Sequence, residues 1–472
     1  RYLTGFFLLM SLGGVLGGLF NALVAPLIFN DLYEYEVALV LACMLIPPLG
    51  SAGGTSITTW ILRQFAGGTS RIGNMSRRLL HVLDFSKHGW GGRLAGLGFD
   101  VLLVFLLFCI GYGFATFFDN ESRHARWIDK IPEWLADVRV WIAARIDQVV
   151  AKGHVSETQF RAILKFGVPI LICYAFVTRP FRFGLGVVAL LAVGFYAAAA
   201  TQDEDVKVVY QVRSFFGVLK VDHSSKGNWY RLMHGTTTHG LQYRGTEEEF
   251  EPQTYYHKTG PIGQVFEALD SRLAKKNLAF VGLGSGTLAC YGRAGQRVDF
   301  YDIDKAVVDL SANRSDYFTY YTNCKATKRV ILGDARLKME EAEPGRYALI
   351  ALDAFSSDAI PIHLITRQAL ELYFSKLEPD GVLAVHISNR YLNLQPVLAN
   401  LARELKLVAY REYDDDEHGG KYRSDWVVLA RKPEDLGGLL SDKGWQPTEP
   451  NDKVGVWTDD FSNLLRVFDW KN

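Results

Sequence analysis

Cysteine is scarce in this chain, with five among 472 residues. That count excludes a small secreted fold held together by many disulfides. An excess of charge of either sign is also absent, because 51 basic residues balance 51 acidic ones. Proteins that bind nucleic acid normally carry a basic excess, so we expect no nucleic-acid partner. No group of cysteines and histidines has the spacing of a zinc site, and we expect no metal.

Apolar residues, by contrast, are concentrated in the first 200 positions. Five apolar runs there predict membrane helices, and the first alone exceeds the roughly 20 residues that cross a bilayer. The runs cover residues 3–29, 37–49, 94–118, 163–177 and 183–200. We therefore predict a transmembrane helical region over residues 1–200, with the lipid bilayer as its partner.

From residue 201 the composition is that of a soluble domain. Short strand-like runs, separated by turns rich in Gly, Ser and Thr, predict a small β module over residues 201–258. Strand-like and helix-like runs then alternate, which predicts a Rossmann-like α/β domain that binds a nucleoside over residues 259–472.

Glycines and acids stand at the carboxyl ends of four successive predicted strands. The glycine-rich segment 282–286 follows the first strand, and Asp302, Asp334 and Asp353 follow the next three. Ligands of open α/β sheets bind outside these strand ends. We expect Asp302 to accept hydrogen bonds from both ribose hydroxyls of a nucleoside, and Asp334 to hold an adenine amino group. His386 closes the fifth strand, where it either lines the same cleft or caps the next helix.

A dinucleotide is the alternative ligand for such a loop. The NAD pattern has its third glycine where this chain has Thr287. The later acids, Asp334 and Asp353, fit a nucleoside with a sulfonium centre better than a second nucleotide.

Residues 206–472 resemble the spermidine synthase (polyamine aminopropyltransferase) family, in its membrane-fused bacterial branch. Besides the glycine segment, the resemblance is carried by Tyr210-Gln211, Leu232-Met233-His234-Gly235, Tyr255-Tyr256-His257, Asp302-Ile303-Asp304, Gly333-Asp334-Ala335 and Asp353-Ala354-Phe355-Ser356-Ser357-Asp358. It implies a class I methyltransferase-type domain and a multi-pass protein of the bacterial inner (plasma) membrane. It also implies a cytoplasmic catalytic domain and a homodimer.

The resemblance further implies a transferase and the residues that serve it. An amine such as putrescine attacks the methylene beside the sulfonium of decarboxylated S-adenosylmethionine, which gives spermidine and methylthioadenosine. Asp353, Tyr256 and His257 would act at the reacting amine, and Asp358, with Tyr256, would bind the amine substrate. The donor would be held by Gln211, Gly282, Gly284, Ser285, Asp302, Ile303, Gly333, Asp334 and Ala335.

Several positions depart from the family pattern and keep other functions open. Ser285 stands where the family has an acid for the amino group of the donor's tail, and His234 and Lys258 replace further acids. One alternative is therefore an enzyme that uses intact S-adenosylmethionine, for aminocarboxypropyl or methyl transfer or for cleavage to methylthioadenosine. The other is a non-catalytic sensor or transporter that binds a polyamine or a nucleoside.

The orientation in the membrane has two opposing indications. The basic loop over residues 63–93 favours the cytoplasmic side. Three further spans after it would place the C-terminal half outside, whereas the chemistry implied by the resemblance belongs in the cytosol.

Overall fold

The computed structural model describes residues 3–46, 89–117, 163–177, 179–201, 203, 205–354, 361–441 and 444–469. The chain divides into two compact units, one made of Arg1–Asp31 with Glu204–Asn472 and the other of Leu32–Asp203. Most of the basic loop, the end of the second apolar run and the predicted substrate-binding Asp358 lie outside the described residues.

Three described helices are long and apolar enough to cross a membrane: Leu3–Ile28, Leu97–Ala115 and Pro180–Ala199. The helices of the apolar region are α1 (Leu3–Leu19), α2 (Ala25–Ile28), α3 (Tyr33–Leu45), α4 (Gly89–Phe117), α5 (Val168–Tyr174) and α6 (Pro180–Thr201), with π-helical turns at Phe20–Val24 and Ile163–Gly167. The second and fourth predicted runs thus form α3 and α5, which are shorter than a bilayer crossing requires.

An acid lies within the apolar stretch of α4. The Asp100 carboxylate accepts a hydrogen bond from Nε of Arg182, on α6, at 2.6 Å, and both side chains are buried. The Arg179 guanidinium lies 3.6 Å from the same carboxylate and is half exposed. Ionisable residues in apolar segments need such partners, and the pairing with Arg182 accounts for Asp100 without a catalytic role.

Asp100→Ala is expected to lower the free energy of unfolding by about 3–5 kcal/mol, because it leaves the Arg182 charge buried and unpaired. Thermal unfolding of the full chain in detergent measures this. Arg179→Ala is the matched control, since it removes the exposed partner and should change stability by less than about 1 kcal/mol. Equal losses of stability in the two variants would contradict the conclusion that Asp100 acts as the buried partner of Arg182.

From Val206 the chain forms a four-stranded antiparallel sheet. Its strands are β1 (Val206–Ser214), β2 (Gly217–Ser224), β3 (Trp229–His234) and β4 (Thr237–Tyr243), paired in that order. Two-residue connections join β1 to β2 and β3 to β4, so the sheet is a simple meander. All four strands lie within residues 201–258, the segment for which the sequence predicts a small β module.

The larger sheet has eight strands, in the order β12-β10-β11-β9-β8-β5-β6-β7. The strands are β5 (Leu278–Val281), β6 (Arg297–Asp302), β7 (Thr327–Leu332), β8 (Tyr347–Leu352), β9 (Leu377–His386), β10 (Val408–Asp414), β11 (Ser424–Ala430) and β12 (Gln446–Pro447). β5 to β9 are parallel to one another, and the last three pair antiparallel. The structure thus confirms the prediction of an α/β sheet domain.

Helices and short turns connect these strands. The helices are α7 (Pro261–Ala268), α8 (Asp270–Leu273), α9 (Lys305–Ser311), α10 (Tyr320–Asn323), α11 (Ala335–Glu340), α12 (Arg367–Lys376) and α13 (Gln395–Leu405), with 3-10 helices at Thr287–Tyr291, Ile362–Leu364, Pro433–Ser441 and Leu464–Arg466. All side chains of β5 and β8 are buried, as is typical of central parallel strands covered on both faces.

The order of the strands places a crevice between β5 and β8. From β5 the chain moves to β6 and β7 on one side, then returns to β8 and β9 on the other. The connections therefore leave in opposite directions at these two neighbours, which is the point where open α/β sheets bind ligands. Gly282 follows β5 and Asp353 follows β8, so both lie at this crevice.

Cys290 and Cys324 form a disulfide with their Cα atoms 5.0 Å apart. Cys290 belongs to the 3-10 helix that follows the glycine segment, and Cys324 ends α10. The two cysteines are 34 positions apart in the sequence, and nothing in this spacing indicated a pair.

Candidate nucleoside and catalytic site

A cavity of about 220 Å³ lies at the carboxyl ends of β5, β6, β7 and β8. Eight of the predicted site residues line it: Tyr256, Gly282, Gly284, Asp302, Ile303, Asp334, Ala335 and Asp353. The histidines that line it are His234, His239 and His363. Acids from three strand ends thus meet the glycine segment in one cavity.

Two glycines of the segment have no room for a side chain. Gly282 has φ +99°, and a Cβ there would lie 2.1 Å from the carbonyl oxygen of Asp353. Gly284 has φ +52°, and its Cβ would lie 2.9 Å from the carbonyl oxygen of His239. Glycine accepts both the positive φ and the close approach, which lets the loop fold tightly over the crevice.

Asp302 ends β6 and supports the glycine segment. Its two carboxylate oxygens accept hydrogen bonds from the backbone N–H groups of Leu283 and Asp304, each at 2.8 Å. Burial raises the pKa of Asp302 to about 6. Each oxygen keeps a lone pair for a further donor, such as a ribose hydroxyl.

This raised pKa predicts a pH-dependent nucleoside affinity. The ionised carboxylate is the form that accepts two hydroxyl hydrogen bonds, so methylthioadenosine should bind about tenfold more weakly at pH 5 than at pH 7. Calorimetric titration across this range measures the effect. Asp302→Asn should bind weakly at every pH, and an affinity of the parent protein that does not change through pH 6 would contradict the role of Asp302.

Asp334 has a structural task as well as a place in the cavity wall. It caps α11 by accepting the N–H of Leu337 at 3.0 Å, and His363 Nε2 lies 2.8 Å from its other oxygen. Burial opposes ionisation, but these two partners keep the pKa of Asp334 below its usual value. His363 was not among the predicted site residues.

Asp353 is the centre of a buried hydrogen-bond network. The Tyr256 hydroxyl donates to one carboxylate oxygen, and Nδ1 of His386 lies 2.7 Å from the other. Burial by itself would raise the pKa of Asp353, yet His386 and Tyr256 hold it below its usual value. The carboxylate is therefore ionised at neutral pH. Burial and the charge of Asp353 raise the pKa of Tyr256, which keeps that hydroxyl protonated as a donor.

The His386 ring is itself held on three sides. It stacks between Tyr255 and Trp426, with ring centroids 4.8 and 4.7 Å away. Its Nε2 lies 2.7 Å from the Ser388 hydroxyl. His386 does not line the cavity; it contacts Asp353, which does.

Ser285 is buried but does not line the cavity. Its hydroxyl is 2.8 Å from that of Thr287 and packs closely on Gly240 of β4. The Ser285 side chain, which we expected to face the tail of the donor, is thus turned out of the cavity.

Three other predicted residues also lie outside the cavity wall. His257 directs Nδ1 to the Thr259 hydroxyl at 3.0 Å. The Gln211 amide donates to the backbone carbonyl of Asn30 at 2.8 Å. Gly333 has φ +134° and connects β7 to Asp334, but it does not line the cavity.

No protein-family model and no curated protein matches this chain. Among solved structures, it is similar to a probable spermidine synthase from Corynebacterium glutamicum ATCC 13032, with 16% identity and a TM-score of 0.40, over 52% of this chain and 91% of that one. It is similar to spermidine synthase from Thermotoga maritima, with 12% identity and a TM-score of 0.35, over 52% of this chain and 81% of that one.

A third similar structure is an O-methyltransferase from Bacillus cereus in complex with SAH, with 15% identity and a TM-score of 0.27. That match covers 37% of this chain and 82% of the other. Similarity at this level is a likeness of fold alone.

Proposed function

We propose that the part of the chain from Val206 onward is an alkyltransferase that moves a carbon group from a sulfonium nucleoside of the S-adenosylmethionine type to an amine. The observation that carries this proposal is the buried, ionised Asp353 beside the glycine segment, held by Tyr256 and His386. A buried carboxylate is costly, and one kept ionised in the wall of a cavity is suited to bind and orient a positively charged amine.

The proposed step balances as a substitution at carbon. The amine nitrogen forms a bond to a carbon next to the sulfonium, and the bond between that carbon and sulfur breaks. The electron pair goes to sulfur, which leaves as a neutral thioether. The nitrogen loses a proton, because an alkylammonium with a pKa near ~10 is not nucleophilic until it is deprotonated. Asp353 would accept that proton or orient the amine while the proton leaves to water.

The remaining residues of the cavity would bind the nucleoside part of the donor. Asp302 would accept the ribose hydroxyls, Asp334 would accept the adenine amino group, and the glycine segment would lie against the sulfur end of the donor. Transfer of an aminopropyl group from decarboxylated S-adenosylmethionine to putrescine is the activity that the family resemblance implies. Attachment to the bacterial inner membrane, a cytoplasmic site and a homodimer belong to the same proposal.

A second candidate is an enzyme that uses intact S-adenosylmethionine. The observation that favours it is Ser285, which is turned out of the cavity and leaves the donor's tail without an acid from this segment. Such an enzyme would transfer a methyl or an aminocarboxypropyl group.

A product assay by mass spectrometry tests the proposal. Full-length protein in detergent is offered putrescine with either intact or decarboxylated S-adenosylmethionine. An alkylated amine together with a thioether nucleoside is the expected result, and the mass of the amine identifies the transferred group. Binding of methylthioadenosine with no product from either donor would overturn the proposal in favour of a sensor.

A further inference from the structure

The loop between β10 and β11 packs against the turn that carries Tyr256. We call residues 414–423 the acidic loop, because it begins with three aspartates and a glutamate. The backbone N–H of Thr254 donates to the carbonyl oxygen of Gly420 at 2.7 Å, and the N–H of Tyr422 donates to the carbonyl oxygen of Thr254 at 3.1 Å. Both backbone polar groups of Thr254 are thus bonded to one loop from a distant part of the sequence.

Thr254 has a backbone conformation that its residue type seldom adopts. Its φ is +61°, and its side chain is buried. A β-branched residue at positive φ is strained, and such conformations persist only where the surrounding structure holds them. The two hydrogen bonds to the acidic loop hold this one. A Thr254 released from the loop would relax, and the residues after it would point in other directions.

The two residues after Thr254 are those that reach the catalytic network. The Tyr256 hydroxyl donates to Asp353, and the Tyr255 ring stacks on that of His386 with centroids 4.8 Å apart. The backbone conformation at Thr254 therefore sets where both tyrosine rings lie.

A buried lysine closes the acidic loop. Nζ of Lys421 lies 2.7 Å from the carboxylate of Asp414 and 3.4 Å from that of Asp416. The side chains of Lys421 and Asp414 are only 5% and 10% exposed. Lys421 stands between Gly420 and Tyr422, the two residues that bond to the turn. Its ion pair thus fixes the segment of the loop that makes this contact.

We propose that Lys421 holds the Tyr256 hydroxyl on Asp353 and is therefore a positioning residue for the proposed reaction. It acts through its ion pair with Asp414, which keeps the acidic loop bonded to Thr254. Lys421 is not in the wall of the cavity, so it affects the groups at the reacting amine without contacting the nucleoside. This inference rests on the proposed function and adds a residue to it.

Lys421→Met tests this role, because it keeps the length of the side chain and removes the ammonium group. In full-length protein in detergent, kcat for amine alkylation should fall by about 10–10²-fold, since a small displacement of a positioned group costs that much. Methylthioadenosine affinity should stay within about twofold, because no residue of the cavity wall is changed.

Arg423→Met is the matched control. Arg423 belongs to the same loop and lies 3.7 Å from Glu417, but these two side chains are 69% and 58% exposed. An exposed pair of this kind contributes little, so kcat and nucleoside affinity should both stay within about twofold.

A double-mutant cycle separates positioning from general damage to the fold. Tyr256→Phe removes the hydroxyl through which Lys421 is proposed to act. In that background Lys421→Met should lower kcat by less than about twofold, because the contact that it disturbs is already gone. Losses of kcat that multiply in the double variant would overturn the proposal.

A second variant serves where the first does not fold. Lys421→Met leaves the Asp414 carboxylate buried without its partner, which is destabilising. Lys421→Met combined with Asp414→Asn removes both charges and avoids this cost. The combined variant should lose kcat in the same way, and full activity in it would overturn the role of Lys421.

Hydrogen exchange gives a readout that needs no turnover. Loss of the loop contact should speed up amide exchange in peptides that cover residues 254–257 by about tenfold or more in Lys421→Met, and not in Arg423→Met. Unchanged exchange in these peptides would overturn the role of Lys421. Absence of product from the parent protein with either donor would instead overturn the proposed function, and hydrogen exchange would still decide whether Lys421 holds the turn.

Discussion

Asp353→Asn is expected to lower the rate of alkyl transfer by about 10²–10⁴-fold while leaving nucleoside affinity within a few-fold. The amide has the size of the carboxylate but cannot receive the proton of the amine. It also turns an NH₂ group toward one of two donors, Tyr256 or His386, and so loosens the network around the site. Release of the thioether nucleoside in single-turnover experiments measures the chemical step.

The pH dependence separates proton transfer from simple misfolding. If Asp353 receives the proton, the defect should shrink as the pH rises and free amine accumulates in solution. Asp309→Asn serves as the control, because Asp309 is half exposed on α9 and its hydrogen bonds in the described structure are local, to Lys305 and Asn313. A defect of the same size at every pH, or a parallel loss of nucleoside binding, would contradict the assignment.

Gly282→Ala is the second substitution with a large expected effect, this time on stability. A Cβ at position 282 would lie 2.1 Å from the Asp353 carbonyl oxygen, and φ there is +99°. We expect the free energy of unfolding to fall by about 3–5 kcal/mol, because backbone must move against backbone in addition to the strain of a positive φ. Nucleoside binding should be lost as well, since the displaced segment forms part of the cavity wall.

Gly295→Ala separates the strain of a positive φ from the clash between two backbone segments. Gly295 also has a positive φ, of +86°, but a Cβ there has no atom within 4 Å. It should cost only about 1–2 kcal/mol and leave nucleoside binding unchanged. Equal losses for the two variants would show that φ alone matters and that the contact between Gly282 and Asp353 does not constrain the crevice.

The acids of the cavity could be placed from sequence because one topological rule covers them. Asp302 ends its strand, and Asp334 and Asp353 come one or two positions after theirs; parallel strands carry their carboxyl ends to one edge. The glycine segment follows β5 for the same reason. No side-chain contact had to be known for these predictions.

The other part of the cavity comes from elements that no such rule covers. Tyr256 reaches Asp353 from a turn 97 residues earlier, and His239 comes from an antiparallel strand whose sequence shows no clear alternation. Ser285 is the reverse case, because the sequence predicts it at the site but its side chain does not line the cavity. It occupies the expected place in the chain, but the tight turn of the glycine segment directs its hydroxyl to Thr287.

The cross-link between Cys290 and Cys324 lies just beyond the glycine segment, in the unit that carries the cavity. Glutathione and thioredoxin keep cytosolic thiols reduced, whereas extracytoplasmic compartments let a disulfide persist. The thiol state of this pair in living cells therefore tests the proposed cytoplasmic location of the cavity. Alkylation of lysates before and after reduction measures this state without a tag or a fusion. Free thiols in cells would support the proposed cytoplasmic site, and a disulfide would contradict it.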